Sequence, residues 1–520
     1  MCGIAAIYGM NLISPEKEIS QMLKRIAHRG NSLFETYRLD KAMLGANRLK
    51  IVDREKGAQP ITNERNTVFV IFNGEIYNFL ELKKILQQKN HIFRTTCDTE
   101  VLVHLYEEYG ADLVDKLDGM FAFFLFDLEK DSYLIARDPF GIKPIYFAQK
   151  NNCIYFASEA KAFLDIGVKK IQELLPAHYM QNGKIIKYYE IKDNENTDEQ
   201  HVIEEKLREL IKKSIKKRVQ TDLPLGVLFG GGIDSSIVLM NSLEYHNDVT
   251  AFTIGFRNSE DVIVASRLSK EKKFDHLIYE PKREEILELI PKVVYQTESF
   301  EPNMIRGSIL SYLLSRAVKE HEINVLLCGE GSDEIFAGYG DFLLYNEEKI
   351  KNEIRLFLND LFRTQLQRVD RTSMAFTQEV RVPFLDKELV EYALSIPPKM
   401  KISKNPERLI TTKYILRKAF EIEIPDYICY RDKITLMEGA GLGDVANAEN
   451  ILYDYANTKI NEKDFKKYSE YCKRYELKDK EELYYFLIFL EYYDDKIESC
   501  RTRTKVAKKE IRKAYVQLEN

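Results

Sequence analysis

The chain has 520 residues, 45% of them hydrophobic and 31% charged, with a formal net charge of −5; at about 100–200 residues per domain this implies two to four domains with ample cores. The composition is that of an ordinary globular protein, and the charge balance excludes neither half of the chain from small-molecule chemistry while giving no reason to expect a nucleic-acid partner. No apolar run approaches the ~18 residues of a membrane span, and no basic stretch followed by an apolar core marks a leader, so the expectation is a cytoplasmic protein with no membrane partner.

Taken in chain order, residues 1–190 alternate short apolar runs with polar turns. Strands are predicted at Ile4–Tyr8, Thr67–Phe72, Ala122–Asp127, Tyr133–Ala136, Ile154–Ala157 and Lys184–Tyr189, with helices over Phe79–Gln88 and Glu100–Tyr109. This is an α+β pattern rather than a regular βαβ alternation. Residues 191–200 are polar and without apolar periodicity, and read as a linker. Beyond them the spacing predicts a helix over Val202–Val219, then strands at Gly226–Phe229, Val249–Gly255 and Asn324–Cys328, each followed by a turn and helix. That order describes a doubly wound α/β domain, mainly helical in its later part, to about residue 500. The tail from Arg501 to Lys513, within a basic segment 501–520, is helix-compatible and reads as a solvated end.

Seven cysteines, at positions 2, 97, 153, 328, 429, 472 and 500, are scattered with no C-x-x-C pair, which argues against a disulfide framework or a cysteine zinc site. Cys2 stands apart because removal of Met1 would give one residue both a thiol and a free α-amine. The thiol is an intrinsically strong nucleophile, and an α-amine with a pKa near ~7.7–8.0 can serve as its base at neutral pH. Downstream, Asn47-Arg48-Leu49, Phe72–Asn78 and Thr96–Glu100 offer groups suited to an amino acid such as glutamine. An arginine can hold an α-carboxylate through two parallel hydrogen bonds, Glu75 and Asp98 can hold an ammonium, and an asparagine amide with a glycine N–H can stabilise an oxyanion. The alternatives are a hairpin turn at Asn73-Gly74 and a surface charge at Arg48.

In the second half, LGVLFGGGIDSS over residues 225–236 ends a strand in three glycines and opens a helix with Asp234, Ser235 and Ser236. Glycines let backbone approach phosphates and a helix N-terminus favours their charge; Asp234 suits Mg²⁺ bound to phosphate rather than phosphate itself. A tight strand–helix turn is the plain alternative. LCGEGSDEIFAGY at 327–339 follows another strand with the carboxylates Glu330, Asp333 and Glu334, and VDRTSMAFTQEVRVPFLD at 369–386 comes later. No Gly-Lys-Ser/Thr P-loop is present.

The motifs MCGIAAIYG, HRG (28–30), NRLKIVD (47–53), FNGEIYN (72–78), CDTE (97–100), DGMFAFFLFD (118–127) and ARDPFGIKPIY (136–146) resemble, in order and spacing, the glutaminase domain of class II amidotransferases. The resemblance implies an N-terminal-nucleophile fold of stacked antiparallel sheets with flanking helices. It makes Cys2 the nucleophile, Asn73 and Gly74 the oxyanion hole, and Arg48, Ile51, Val52, Asn73, Gly74, Glu75 and Asp98 the glutamine-binding set. The family's usual Pro-Asp after HRG is here Asn31-Ser32.

The later segments resemble the pyrophosphate-loop ATP domain of the asparagine synthetase family. That implies ATP around Leu228, Gly231, Gly232, Asp234, Ser235, Ile254, Cys328 and Gly329, and Mg²⁺ on Asp234 and Asp333. It also implies Glu330 at the incoming ammonia and Lys433, in RDKITLMEGAG at 431–441, steadying charge during adenylation. Three departures stand out: Gly230 for the first serine of Ser-Gly-Gly-x-Asp-Ser, Cys328 for the serine before Gly-Glu-Gly, and no phenylalanine after Lys433. ESFEPNMIRGS at 298–308 and KEELYYFLIFLEYY at 480–493 are similar to segments of glutamine-dependent asparagine synthetases. Arg306 is then a candidate for an acceptor carboxylate, with a structural ion pair as its alternative.

The expected chemistry is glutamine hydrolysis feeding ammonia to a β-aspartyl-AMP made from ATP and aspartate. Rivals are the same half-reactions on another carboxylate, an intramolecular cyclase with a vestigial first domain, and a non-enzymatic regulator. The family suggests a homodimer.

Overall fold

The computed structural model describes residues 1–493 except 11, 13, 193, 406–408 and 445–448; the expected helical tail at 501–513 lies outside them. The chain clusters into two units, one built on Met1–Ile191 with the short segment Met374–Glu379, the other on Lys192–Ser373 and Val380–Tyr492. Among the described residues no helix is long and apolar enough to cross a membrane.

The first unit holds strands β1 (Gly3–Gly9), β2 (Glu35–Arg38), β3 (Ala42–Asn47), β4 (Ile61–Thr62), β5 (Val68–Ile76), β6 (Gly119–Asp127), β7 (Ser132–Arg137), β8 (Tyr146–Lys150), β9 (Cys153–Ala157), β10 (Gln172–Glu173), β11 (His178–Gln181) and β12 (Lys184–Lys187). They form two six-stranded sheets, ordered β10-β8-β9-β1-β3-β2 and β12-β11-β7-β6-β5-β4. All strand pairs for which register is given in these sheets are antiparallel.

Strand β6 shows why the apolar runs are unbroken. Its Phe121, Phe123 and Leu125 pack with Leu82, Leu86, Val101 and Leu105 from α2 (Phe79–Gln88) and α3 (Glu100–Tyr109). The alternating Ala122, Phe124 and Phe126 pack with Ile4, Ala6, Leu44 and Phe156 of the other sheet. Both faces of the strand are therefore dry, and period-two alternation gives way to a continuous hydrophobic run. Helix α1 (Pro15–Arg25) covers the far face of the first sheet through Ile19, Met22 and Leu23, completing four layers.

The second unit is α/β. Strands β13 (Leu225–Leu228), β14 (Val249–Ile254), β15 (Asp275–Tyr279), β16 (Val325–Leu327) and β17 (Glu379–Arg381) are ordered β15-β14-β13-β16-β17. The β13–β14, β13–β16 and β14–β15 pairs are parallel. Since β14 lies on one side of β13 and β16 on the other, the carboxyl end of β13 is the point where strand order reverses, which is where open α/β sheets place ligands. Helix α4 (Gln200–Arg218) precedes β13, while α5 (Ile233–Tyr245) and α6 (Glu260–Lys272) follow β13 and β14.

Candidate functional site

Cys2 lies at the start of β1, its side chain buried among the residues between the two sheets of the first unit. Its backbone N–H donates to Asn73 Oδ1 at 3.0 Å, and Gln59 Nε2 lies 3.6 Å from its Sγ. Arg29, fully buried, donates from Nε to the Cys2 carbonyl at 3.2 Å and from Nη1 to Glu159 at 2.6 Å, which explains the arginine of the HRG motif as a clamp on the Cys2 backbone. Gln59 also pairs with the backbone of Phe72, accepting from its N–H at 2.8 Å and donating to its carbonyl at 3.1 Å. No pattern in the sequence marks Gln59 for this place.

Asn73 and Gly74 sit within β5, paired with Ala122 and Phe121 of β6, so the hairpin-turn alternative is overturned. Asn73 is completely buried, and its Nδ2 has no hydrogen-bond partner among the described residues. A buried amide donor left unpaired costs about 1–3 kcal/mol, a cost repaid when an oxyanion or carbonyl arrives. A Cβ on Gly74 would run into the Met120 carbonyl, so only glycine fits the β5–β6 approach here.

The Arg48 guanidinium is likewise not a surface charge. It is buried and donates to the carbonyls of Val52 at 2.8 Å, Asp53 at 2.6 Å and Arg54 at 3.4 Å, which fixes the loop carrying Ile51 and Val52. The Asn31-Ser32 departure is accommodated locally: Asn31 N and Ser32 Oγ both donate to the Arg48 carbonyl, and Asn31 Oδ1 accepts from Lys50 N. Asp98, just before α3, accepts from Ile76 N at 2.9 Å at the end of β5, and Glu75 is buried beside it in that strand.

Burial pushes the Cys2 thiol up, opposed by the Met1 ammonium, a backbone hydrogen bond from Leu49 and the Arg48 guanidinium. Cys97, in the same unit, is pushed well up by burial and then by the Asp98 carboxylate, whose Oδ1 lies 3.4 Å from its Sγ. Asp98 raises and Arg48 lowers both thiols, so what is particular to Cys2 is the adjacent N-terminal ammonium.

In the second unit, β13 leads through Phe229–Gly232 into α5. Gly231 has φ +70°, and a Cβ there would press on Val264 Cγ1 at 3.0 Å, so the loop needs a glycine. Leu228 and Ile254 close the carboxyl ends of β13 and β14. Ser235 and Ser236 donate back to the Gly232 carbonyl at 3.1 and 2.8 Å. Cys328 donates its N–H to the Arg381 carbonyl at 3.2 Å, and Gly329 packs so closely on Asp234 that an added Cβ would lie 2.8 Å from the Asp234 Cβ.

The two glycine loops thus bring Asp234 and Asp333 together across one ammonium. Lys413 Nζ is 2.5 Å from Asp234 Oδ2 and 2.6 Å from Asp333 Oδ1, while Lys433 Nζ is 2.7 Å from Asp333 Oδ2. Ser332 Oγ donates to Asp234 Oδ1 at 2.7 Å. Despite burial, the two lysines hold the Asp333 carboxyl well below the usual carboxylate range. Burial and the charge of Asp333 raise Glu334 to about 7, with Tyr339 donating to it at 2.6 Å. Glu330 is paired with Arg368. Lys413, which pairs with both aspartates, is not revealed by the sequence; it sits in no glycine loop and reaches the site only through the fold.

The Gly230 departure also has a local account. A Cβ there would meet Asp261 Oδ2 at 3.2 Å, and Arg431 ties Asp261 to this loop by donating to Asp261 Oδ1 at 2.7 Å and to the Gly230 carbonyl at 3.4 Å. Burial holds Asp261 up at about 6, against the pull of Arg431.

Arg306 is committed to the ion-pair alternative. Its guanidinium forks onto both oxygens of the fully buried Glu481, Nε at 2.9 Å from Oε1 and Nη2 on Oε2, and Tyr485 donates to Glu481 at 2.9 Å. This joins the helix Pro302–Lys319 to the helix Lys480–Tyr493.

A cysteine at position 2 framed by an amide donor and an arginine-fixed loop, followed by a parallel-sheet unit with a glycine loop and paired aspartates, fits a two-domain amidotransferase–ligase. The comparisons agree: the glutamine amidotransferase domain model matches residues 1–206, and the asparagine synthase model matches 206–349 and 343–505. Asparagine synthetase [glutamine-hydrolyzing] 1 of Arabidopsis thaliana is 32% identical over 514 residues, covering 95% of this chain and 87% of the relative. Asparagine synthetase [glutamine-hydrolyzing] 2 of Lotus japonicus is 33% identical over 515 residues, covering 95% and 86%. The chain belongs to the glutamine-hydrolysing asparagine synthetase family.

Proposed function

We propose that the chain converts aspartate, ATP and glutamine into asparagine, AMP, pyrophosphate and glutamate. Residues 1–190 act as the glutaminase and 201–500 as the synthetase, joined by 191–200. Removal of Met1 frees the Cys2 α-amine, which takes the thiol proton as Sγ attacks the glutamine side-chain amide carbon. The oxyanion is received by Asn73 Nδ2 and the Gly74 N–H. Its collapse breaks the C–N bond, the proton leaves with ammonia, and water then hydrolyses the γ-glutamyl thioester to glutamate. The loop fixed by Arg48, with Ile51 and Val52, and the carboxylates Glu75 and Asp98 hold the substrate's ends.

In the second half, the loop Gly231–Ser235 cradles the pyrophosphate portion of ATP, with Leu228, Ile254, Cys328 and Gly329 around the nucleotide. Asp234 and Asp333 fit a cation, since both carboxylates converge on a single ammonium; Mg²⁺ held there would neutralise phosphate charge. Lys433 steadies charge while the aspartate β-carboxylate displaces pyrophosphate, and Glu330 receives a proton as ammonia attacks the acyl-adenylate and AMP leaves. The enzyme works in the cytoplasm as a homodimer on small molecules, with no nucleic-acid or membrane partner.

The observation that carries this reading is the unpartnered, buried Nδ2 of Asn73 beside Cys2. Purified protein given ATP, Mg²⁺, aspartate and glutamine is expected to form asparagine and pyrophosphate in equal amounts. Pyrophosphate release that ignores aspartate but answers to another acid would replace the acceptor.

A further inference from the structure

A second cluster in the first unit takes no part in this chemistry. Glu64 lies in the turn between β4 and β5, His91 follows α2, and His104 and Glu107 lie one turn apart on α3. His104 is completely buried, and neither of its ring nitrogens has a hydrogen-bond partner among the described residues; the same is true of Glu64 Oε2 and Glu107 Oε2.

These unpartnered atoms face one another. His104 Nδ1 is 3.3 Å from Glu64 Oε2 and 3.5 Å from Glu107 Oε2. His91 Nδ1 is 3.6 Å from Glu64 Oε1 and 3.7 Å from Glu107 Oε2. One ligand atom from each of the four residues falls within 4.8 Å of all the others. Four-coordinate zinc, with metal–ligand bonds of about 2.0–2.2 Å, sets ligand–ligand edges of about 3.3–3.6 Å; the two His104 edges match that spacing, and the other edges, none longer than 4.8 Å, would close onto an ion by small side-chain rotations.

The outer contacts aim the same atoms inward. Glu108 Oε1 lies 3.1 Å from His91 Nε2; in the tautomer that donates its Nε2 proton to this carboxylate, the Nδ1 lone pair faces the cluster. Glu100 Oε1 stands 3.8 Å from His104 Nε2, outside hydrogen-bond reach, as a second carboxylate on the outer side of the cluster. Glu107 Oε1 accepts from Asn63 Nδ2 at 2.9 Å and Arg65 Nη2 at 3.2 Å, which leaves Oε2 to turn in. A carboxylate behind each ligating histidine is the usual outer arrangement of a metal site. Two carboxylates and two neutral imidazoles carry a charge of −2, which a divalent cation cancels.

We propose that Glu64, His91, His104 and Glu107 form a tetrahedral site for a borderline divalent cation of the Zn²⁺ type. The ion staples the β4–β5 turn and the segment after α2 to α3, the helix that begins directly after Asp98 and Thr99. With all four positions filled by protein, the site is structural rather than catalytic. The inference does not depend on the proposed reaction.

The test uses full-length, tag-free protein stripped with a chelator and titrated with Zn²⁺ and with Co²⁺ as an optical probe, in wild type and in Cys2→Ala to remove binding at the nucleophile. One equivalent is expected in both, with the visible spectrum of four-coordinate Co²⁺ bound to nitrogen and oxygen, and a rise in thermal midpoint on adding Zn²⁺. His91→Asn and Glu64→Gln, at half-buried positions, should stay folded by circular dichroism and lose that uptake; Glu108→Ala should weaken it about 10–100-fold. No stoichiometric uptake by wild type, uptake that vanishes in Cys2→Ala, or unchanged uptake in folded His91→Asn and Glu64→Gln would each overturn the site.

Discussion

Asn73 accepts a hydrogen bond from the backbone N–H of Cys2 at 3.0 Å while its own buried amide nitrogen has no partner among the described residues. One side chain thus fixes the Cys2 backbone and holds a donor in reserve. Asn73→Ala should therefore lower glutamine-driven asparagine formation about 10²–10³-fold, the usual cost of an oxyanion-hole donor. Ammonium-driven synthesis should be unchanged. Paired assays with the two nitrogen donors check this, and an equal loss with both would contradict it.

Lys413 neutralises Asp234 and Asp333 together. Lys413→Met keeps the bulk but removes the one ammonium both carboxylates share, leaving Asp333 with Lys433 and Asp234 with no cation in its place. Pyrophosphate release should fall at least about 100-fold with either nitrogen donor, whereas glutaminase activity measured alone should persist. Retained pyrophosphate release would show that the lysine is only a scaffold.

Arg306 and Glu481 form a buried fork. Removing one partner strands the other charge, so Arg306→Ala should cost about 3–5 kcal/mol, and Arg306→Met combined with Glu481→Leu should recover most of it. Thermal unfolding measures both. A raised KM for aspartate with unchanged stability would return Arg306 to the acceptor.

Lys401 is buried, and desolvation alone lowers its ammonium to about 7 from the usual 10.5. Below pH 7 the folded state holds a charged, desolvated lysine, so the penalty is complete. Between pH 7 and about 10.5 the unfolded chain binds more protons than the folded one, and this group's contribution to stability rises with pH. Lys401→Met should raise the thermal midpoint most at or below pH 7, with the advantage shrinking toward pH 10. A pH-independent advantage would mean that Lys401 titrates normally.

Much of the first unit was legible in the sequence because its strands carry strong apolar runs. Helices at Phe79–Gln88 and Glu100–Tyr109 appear at the residues expected from spacing. Strands β2 and β3 were not foreseen: Glu35–Arg38 is exposed throughout, and Ala42–Asn47 is buried throughout but includes small residues that carry little pattern. In the second unit, β15 and β17 were missed for similar reasons, one being an edge strand with a partly exposed face and the other only three residues long. Cys2, Asn73 and the glycine loops could be singled out because they sit in local patterns. Gln59, Lys413 and Arg29's hold on Cys2 come from distant segments meeting, and no local pattern encodes that.

The most direct test of the account is asparagine formation by Cys2→Ala with glutamine and, separately, with ammonium. Loss of the glutamine-driven reaction with full retention of the ammonium-driven one is the predicted result. Glutamine-driven synthesis that survives the substitution would contradict the assignment of Cys2 as the residue that releases ammonia.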